Sequence, residues 1–156
     1  MDREGLRGYI AANYADLLTP LENGRHDLWY AFQIGKVVEI CRRLRDDETL
    51  KFDFLCNIGA IDTGERFEIE YNLTSTSTKL RIDLKTTLPY ENAEIDSVQE
   101  VWPGANWHER EIWELYGINI RNHNDLRRFL LPDDWDQGFP MRKDWDAPDF
   151  IRMPEY

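Results

Sequence analysis

The stretch from Asn106 to Gly117 reads NWHEREIWELYG and concentrates the side chains best able to do chemistry. Glu109, Glu111 and Glu114 could act as acid and base, ligate a metal, cap a helix or form the polar part of a partner surface. Asn106 followed by Glu109 is a variant of the capping box, in which Asn accepts from an early amide and the glutamate reaches back to the Asn amide. Glu111 and Glu114 fall in the first two turns, where negative charge complements the helix dipole, and Arg110 can pair with Glu114 at i, i+4. A zinc helix of the HExxH type requires a second His four residues after His108, and Ile112 stands there, so the metal reading fails at a required ligand. Acid/base work needs two carboxylates in separate environments within a cleft. Helical spacing sends Glu109 and Glu111 to different sides, whereas Glu111 and Glu114 can share a face.

No other constellation competes. His26, His108 and His123 lie far apart with no GxSxG context, so a nucleophilic triad is unsupported, and neither GxGxxG nor a P-loop occurs. Cys41 and Cys56 sit in apolar contexts outside any CxxC pattern, which predicts buried free thiols. The segment from Arg121 to Trp145 balances Arg121, Arg127, Arg128, Arg142 and Lys143 against Asp125, Asp133, Asp134, Asp136 and Asp144. Arg and Asp interleaved with Trp135, Pro140 and Trp145 suit a protein interface, where guanidinium groups pair with carboxylates and aromatics act as anchors.

The whole chain carries a formal charge of -11, which repels phosphate backbones and anionic lipid. Nucleic acid and bare membrane are therefore excluded as partners. No apolar run approaches the roughly 20 residues needed to cross a bilayer, and the charged N-terminus does not read as a signal peptide, so a soluble, cytoplasmic or equivalent location is expected.

These residues must be positioned by a scaffold. A length of 156 residues fits one domain. Apolar spacing predicts a helix over 3–18 ending before Pro20, and a better amphipathic helix over 34–44 from Ile34, Val37, Val38, Cys41 and Leu44. Asn23-Gly24 predicts a turn, followed by a strand from Leu28 to Phe32. KFDFLCNIGAID, RFEIEYNL and KLRIDLKTTL alternate as half-buried strands of an antiparallel meander, with Leu80, Ile82, Leu84 and Thr86 facing inward. A short helix is expected from Ser97, ahead of the Asn106 helix. Beyond Gly117 the periodicity is weak, so an external surface is expected to cover Phe129, Leu130, Leu131, Trp135, Phe139 and Trp145.

ANWHEREIWELYGI, HNDLRRFLLPDDW and PMRKDW together resemble the signature of the 30 kDa subunit of respiratory complex I, the C or J type in NADH-quinone oxidoreductases and their relatives. FDFLCNIGAID, GERFEIEYNLTS and SVQEVWPGANW resemble its strand and linker segments, so the resemblance covers roughly residues 27 to 145. Departures are mild: Phe129 for an aliphatic, Asn124 where Pro is common, Trp145 for Tyr, and no long extension after RKDW. The resemblance implies an α+β fold in two layers: a mostly antiparallel (mixed) sheet packed by helices within residues 1–117, and an extended C-terminal docking tail over 118–156. It implies a non-catalytic subunit without cofactor or metal, in a complex that carries iron–sulfur clusters and uses a quinone. The chain would dock on the large quinone-site subunit, the 49 kDa or D type, beside iron–sulfur subunits, at the cytoplasmic face of the membrane or its stromal or matrix equivalent. The implied interface comprises Glu109, Arg110, Glu111, Glu114, His123, Asp125, Arg127, Arg128, Asp134, Trp135, Pro140, Arg142, Lys143 and Asp144. The equivalent subunit of a membrane-bound hydrogenase, formate hydrogenlyase or F(420)H(2) dehydrogenase is the alternative within the superfamily. A stand-alone enzyme using Glu111 and Glu114 is the alternative outside it.

Overall fold

Alternation decides the central strands. In β4 (Arg66–Thr74) the residues Phe67, Ile69, Tyr71 and Leu73 are buried, and in β5 (Arg81–Pro89) so are Ile82, Leu84, Thr86 and Leu88. Their neighbours Glu68, Glu70 and Lys85 occupy the other face, where Lys85 Nζ lies 3.0 Å from Glu68 and 2.9 Å from Glu70. One face is thus apolar and one is an ion-paired surface, as expected of a sheet covered by helices on one side. The computed structural model describes residues 1–22, 28–149, 151 and 154; the Asn23-Gly24 turn and His26 lie outside the described residues.

β3 (Phe54–Asp62) pairs antiparallel with β4, and β4 with β5, completing the expected meander. β2 (Trp29–Ala31) runs parallel to β5, and β1 (Thr19–Leu21) closes the other edge, giving the order β1-β2-β5-β4-β3. A separate parallel pair joins β6 (Glu94–Asp96) to β7 (Asn119–Arg121). The fold is a mixed α+β arrangement.

α1 (Arg3–Asn13) is shorter than its apolar spacing suggests. Tyr14 and Leu18 stay buried beyond it, but the chain must become extended before Pro20, and Asn13 turns its amide back onto the Tyr9 carbonyl at 2.9 Å. α2 (Val37–Asp46) follows a single 3-10 turn at Ile34–Lys36 and buries Val37, Ile40, Cys41 and Leu44. Cys41 is buried as expected. Cys56 is exposed, because the register shift between Leu55 and Asn57 carries it out of the inward alternation, and its thiol lies 3.2 Å from the Thr74 hydroxyl. The helix expected from Ser97 is only a turn, closed by Val101 and Trp102 amides on the Val98 carbonyl.

Candidate functional site

α3 (Ala105–Tyr116) carries the Glu-Arg-Glu cluster, and it is not capped as the spacing suggests. Gly104 occupies the N-cap, and the Asn106 amide instead donates to Gln99 at 3.1 Å. Nor is the cluster a solvated face: Glu109, Arg110 and Glu114 are 2, 2 and 3% exposed, while Glu111 points to solvent. Gly117 ends the helix at φ 72°, a conformation that favours glycine, and a Cβ there would meet the Phe139 ring at 2.5 Å.

Each buried charge holds a different segment. Glu109 accepts from the Ser97 hydroxyl at 2.6 Å and the Val98 amide at 2.7 Å, fixing the loop that enters the helix. Arg110 donates through Nε to the Arg127 carbonyl at 2.8 Å and through Nη2 to the Arg128 carbonyl at 3.3 Å. Its guanidinium lies 4.8 Å from the centroids of both the Trp107 and Phe129 rings, a cation–π arrangement on two rings. Glu114 accepts from three successive amides, Phe129, Leu130 and Leu131, at 3.4, 3.0 and 3.1 Å. The i, i+4 pair between Arg110 and Glu114 is therefore replaced by two separate grips on residues 127–131. Backbone amides and carbonyls buried against a helix require such partners, and a charged side chain makes the stronger bond.

His123 completes the arrangement. Its Nδ1 accepts from the Asp125 amide at 3.1 Å, which assigns the proton to Nε2 and makes that nitrogen the donor to the Asn106 carbonyl at 3.3 Å. Glu109 Oε2 lies 3.8 Å from the same nitrogen. Burial raises the Glu109 pKa to about 7, partly countered by the Ser97 and Val98 hydrogen bonds, while burial lowers that of His123. His123 therefore favours its neutral form near neutral pH, whereas Glu109 is poised between its neutral and charged forms there.

The remaining predicted residues are distributed along the returning chain. Arg127 pairs with Asp125 at 2.9 Å on the surface, and Arg128 donates to the Asp133 carbonyl at 3.1 Å. Asp134 is exposed; Trp135 donates to the Gly138 carbonyl at 2.7 Å and lies 6.2 Å from the Trp145 ring. After the half-buried Pro140, Arg142 donates to the Tyr116 carbonyl at 2.6 Å and lies over the Phe67, Tyr90 and Phe139 rings. Lys143 donates its backbone amide to Asp62 at 2.8 Å while its charge also favours the Asp62 carboxylate, and Asp144 reaches the Tyr90 hydroxyl.

Asp62 is not evident from the sequence as a site residue. It also accepts from the Tyr90 hydroxyl at 3.0 Å, so it ties the returning chain to the end of the β3–β4 hairpin. Its visible signal is local, an Asp two residues before Gly64 in a turn, and that signal does not reveal a partner 81 positions away. Trp107 reads in the sequence only as an apolar residue of the helix, yet it is 56% exposed. No three His, Cys, Asp or Glu side chains come together as a metal-holding group among the described residues.

A family model for the respiratory-chain NADH dehydrogenase 30 kDa subunit matches residues 32–150. The chain belongs to that family. Its relatives include the C subunit of the NADH-quinone oxidoreductase of Roseiflexus castenholzii, 37% identical over 147 residues that cover 92% of this chain and 84% of the relative. The C subunit of the F(420)H(2) dehydrogenase of Methanosarcina mazei is 41% identical over 114 residues, covering 72% of this chain and 71% of its own. A trypsin-resistant fragment of Nqo5 superposes with a TM-score of 0.65 at 26% identity, covering 78% of this chain and 98% of the fragment. A chain of the membrane-bound sulfane sulfur reductase, an archaeal respiratory membrane complex, shares the fold with a TM-score of 0.76 at 21% identity, over 93% of this chain and 85% of that one. The two C subunits are each named as a subunit of an oxidoreductase complex. Among the described residues no helix is long and apolar enough to cross a membrane.

Proposed function

We propose that this chain is a cofactor-free structural and assembly subunit of the hydrophilic arm of a complex-I-like membrane oxidoreductase, one that couples electron transfer to quinone with ion translocation. It docks on the large quinone-site subunit beside iron–sulfur subunits, at the cytoplasmic face of the membrane or its equivalent, and holds no active site. One observation carries the reading. Leu130 and Met141 are 53 and 52% exposed, and with Trp107, Phe129 and Phe139 they lie on or beside irregular chain whose backbone is held by Arg110, Glu114 and Asp62. Apolar groups displayed on an already ordered backbone suit binding, because much of the ordering entropy, about 1–2 kcal/mol per residue, is lost before the partner arrives. Glu111 and the exposed Arg127–Asp125 pair supply polar contacts at the rim of this surface. The similarity to the F(420)H(2) dehydrogenase subunit favours a second reading, the same role in a complex with that electron input.

The test is affinity purification of the tagged chain from gently solubilised native membranes, with mass spectrometry of what travels with it. The native chain is expected to bring a large quinone-site subunit and iron–sulfur subunits. The double variant Leu130→Asp, Met141→Asp should unfold within about 0.5 kcal/mol of the native chain, as surface changes usually do, yet recover less than a tenth of those subunits. Normal recovery with the double variant would overturn the docking surface.

A further inference from the structure

The two edges of the main sheet are built differently. β1 is three residues long with Pro20 at its centre, and a short strand containing proline resists pairing with another chain. At the opposite edge, β3 runs for nine residues, and from Phe54 to Ile61 it contains no charged residue in a chain that is 31% charged. Phe54 and Ile61, near the two ends of the strand, are exposed. Soluble proteins ordinarily protect such an edge with lysine, proline or inward charge.

The backbone pairing pattern defines what this edge offers. The Thr63 amide donates to the Arg66 carbonyl at 3.0 Å, so the alternation of the antiparallel ladder turns the backbone groups of Gly59 and Ile61 toward β4 and those of Ile58 and Ala60 away from it. Among the described residues no other backbone group takes up the outward amides of Ile58 and Ala60. Two donors and two acceptors at strand spacing, between apolar residues, fit the main chain of an extended peptide.

We propose that β3 is completed by an extended strand of another subunit of the same complex, with apolar residues at alternate positions, which makes the main sheet continuous with its partner. This rests on the assembly reading, and it defines a second contact separate from the Leu130 surface. The neutral edge on a chain of net charge -11 admits an uncharged or basic strand and disfavours an acidic one.

Hydrogen exchange of the isolated chain and of the purified complex tests it. Ile58 and Ala60 amides should exchange readily in the isolated chain and at least 100-fold more slowly in the complex. Ala60→Pro removes an outward amide without touching the β4 ladder, and Gly59→Lys adds an edge charge while keeping every backbone group. Each should lower partner recovery at least tenfold. Equal exchange in both states, or normal recovery with both variants while the native chain still brings its partners, would overturn the strand contact and leave the assembly reading intact. Protection in the isolated chain that rises with its concentration would identify a second copy as the occupant and also overturn the proposal. A native chain that brings no subunits would defeat the assembly reading and this one with it.

Discussion

Glu114→Ala is expected to raise the rate of tryptic cleavage at Arg127 and Arg128 about 100-fold while the sheet and its helices remain folded. The carboxylate receives three successive amides from residues 129–131, and it is their only side-chain acceptor among the described residues. Hydrogen bonds to a charged group contribute roughly 1.5–3 kcal/mol each, but amides this near the surface recover water when released. A net local loss of about 3 kcal/mol is therefore expected, and each 1.4 kcal/mol is tenfold in the opening equilibrium. Cleavage follows that equilibrium when reclosing is fast. The buried core of Phe52, Phe67, Ile69 and Tyr71 does not include Glu114, so circular dichroism should change little. Glu114→Gln keeps an acceptor and should cleave about tenfold faster than the native chain.

Glu109→Gln should reverse a loss of stability that the native chain suffers as pH rises. The Glu109 carboxyl has a folded pKa raised to about 7 from an ordinary 4.5, through burial. A raised carboxyl pKa means that the folded state retains the proton longer, so its contribution is most favourable below about pH 4.5 and is lost as pH climbs through 7. At 1.36 kcal/mol per unit that loss is about 3 kcal/mol. His123 works the other way: its depressed pKa lowers stability as pH falls below the ordinary value of 6.5. The difference between variant and native chain isolates Glu109, since the glutamine oxygen can accept from Val98 and its amide can donate to the Ser97 hydroxyl. The expected result is near-equal unfolding temperatures at pH 5 and a variant about 5–10 °C more stable at pH 8, at roughly 2–4 °C per kcal/mol for this size. A difference that is flat across this range would show that the charge is not buried in solution.

How far the sequence revealed this molecule depends on the range of the interactions involved. The alternation of Phe67, Ile69, Tyr71 and Leu73 and the helical spacing of Val37, Cys41 and Leu44 are local patterns, and both elements form where those patterns lie. The β6–β7 pair was not legible, because two three-residue strands separated by a helix carry almost no periodic signal. The same limit applies to the charged cluster of α3. Spacing rules see partners three or four residues away on one helix, whereas Glu109, Arg110 and Glu114 bond to residues 11 to 18 positions distant. Burial of these charges follows from the chain folding back across α3, and only the resemblance to a known family hinted that the two segments belong together.

The central claim is that the chain held by Arg110 and Glu114 presents Leu130 to another subunit. It is tested most directly by placing a photoreactive benzoylphenylalanine at position 130, irradiating native membranes and identifying the adduct by mass spectrometry. The expected product joins this chain to the large quinone-site subunit. Adducts confined to this chain, in a complex that still contains that subunit, would contradict the claim.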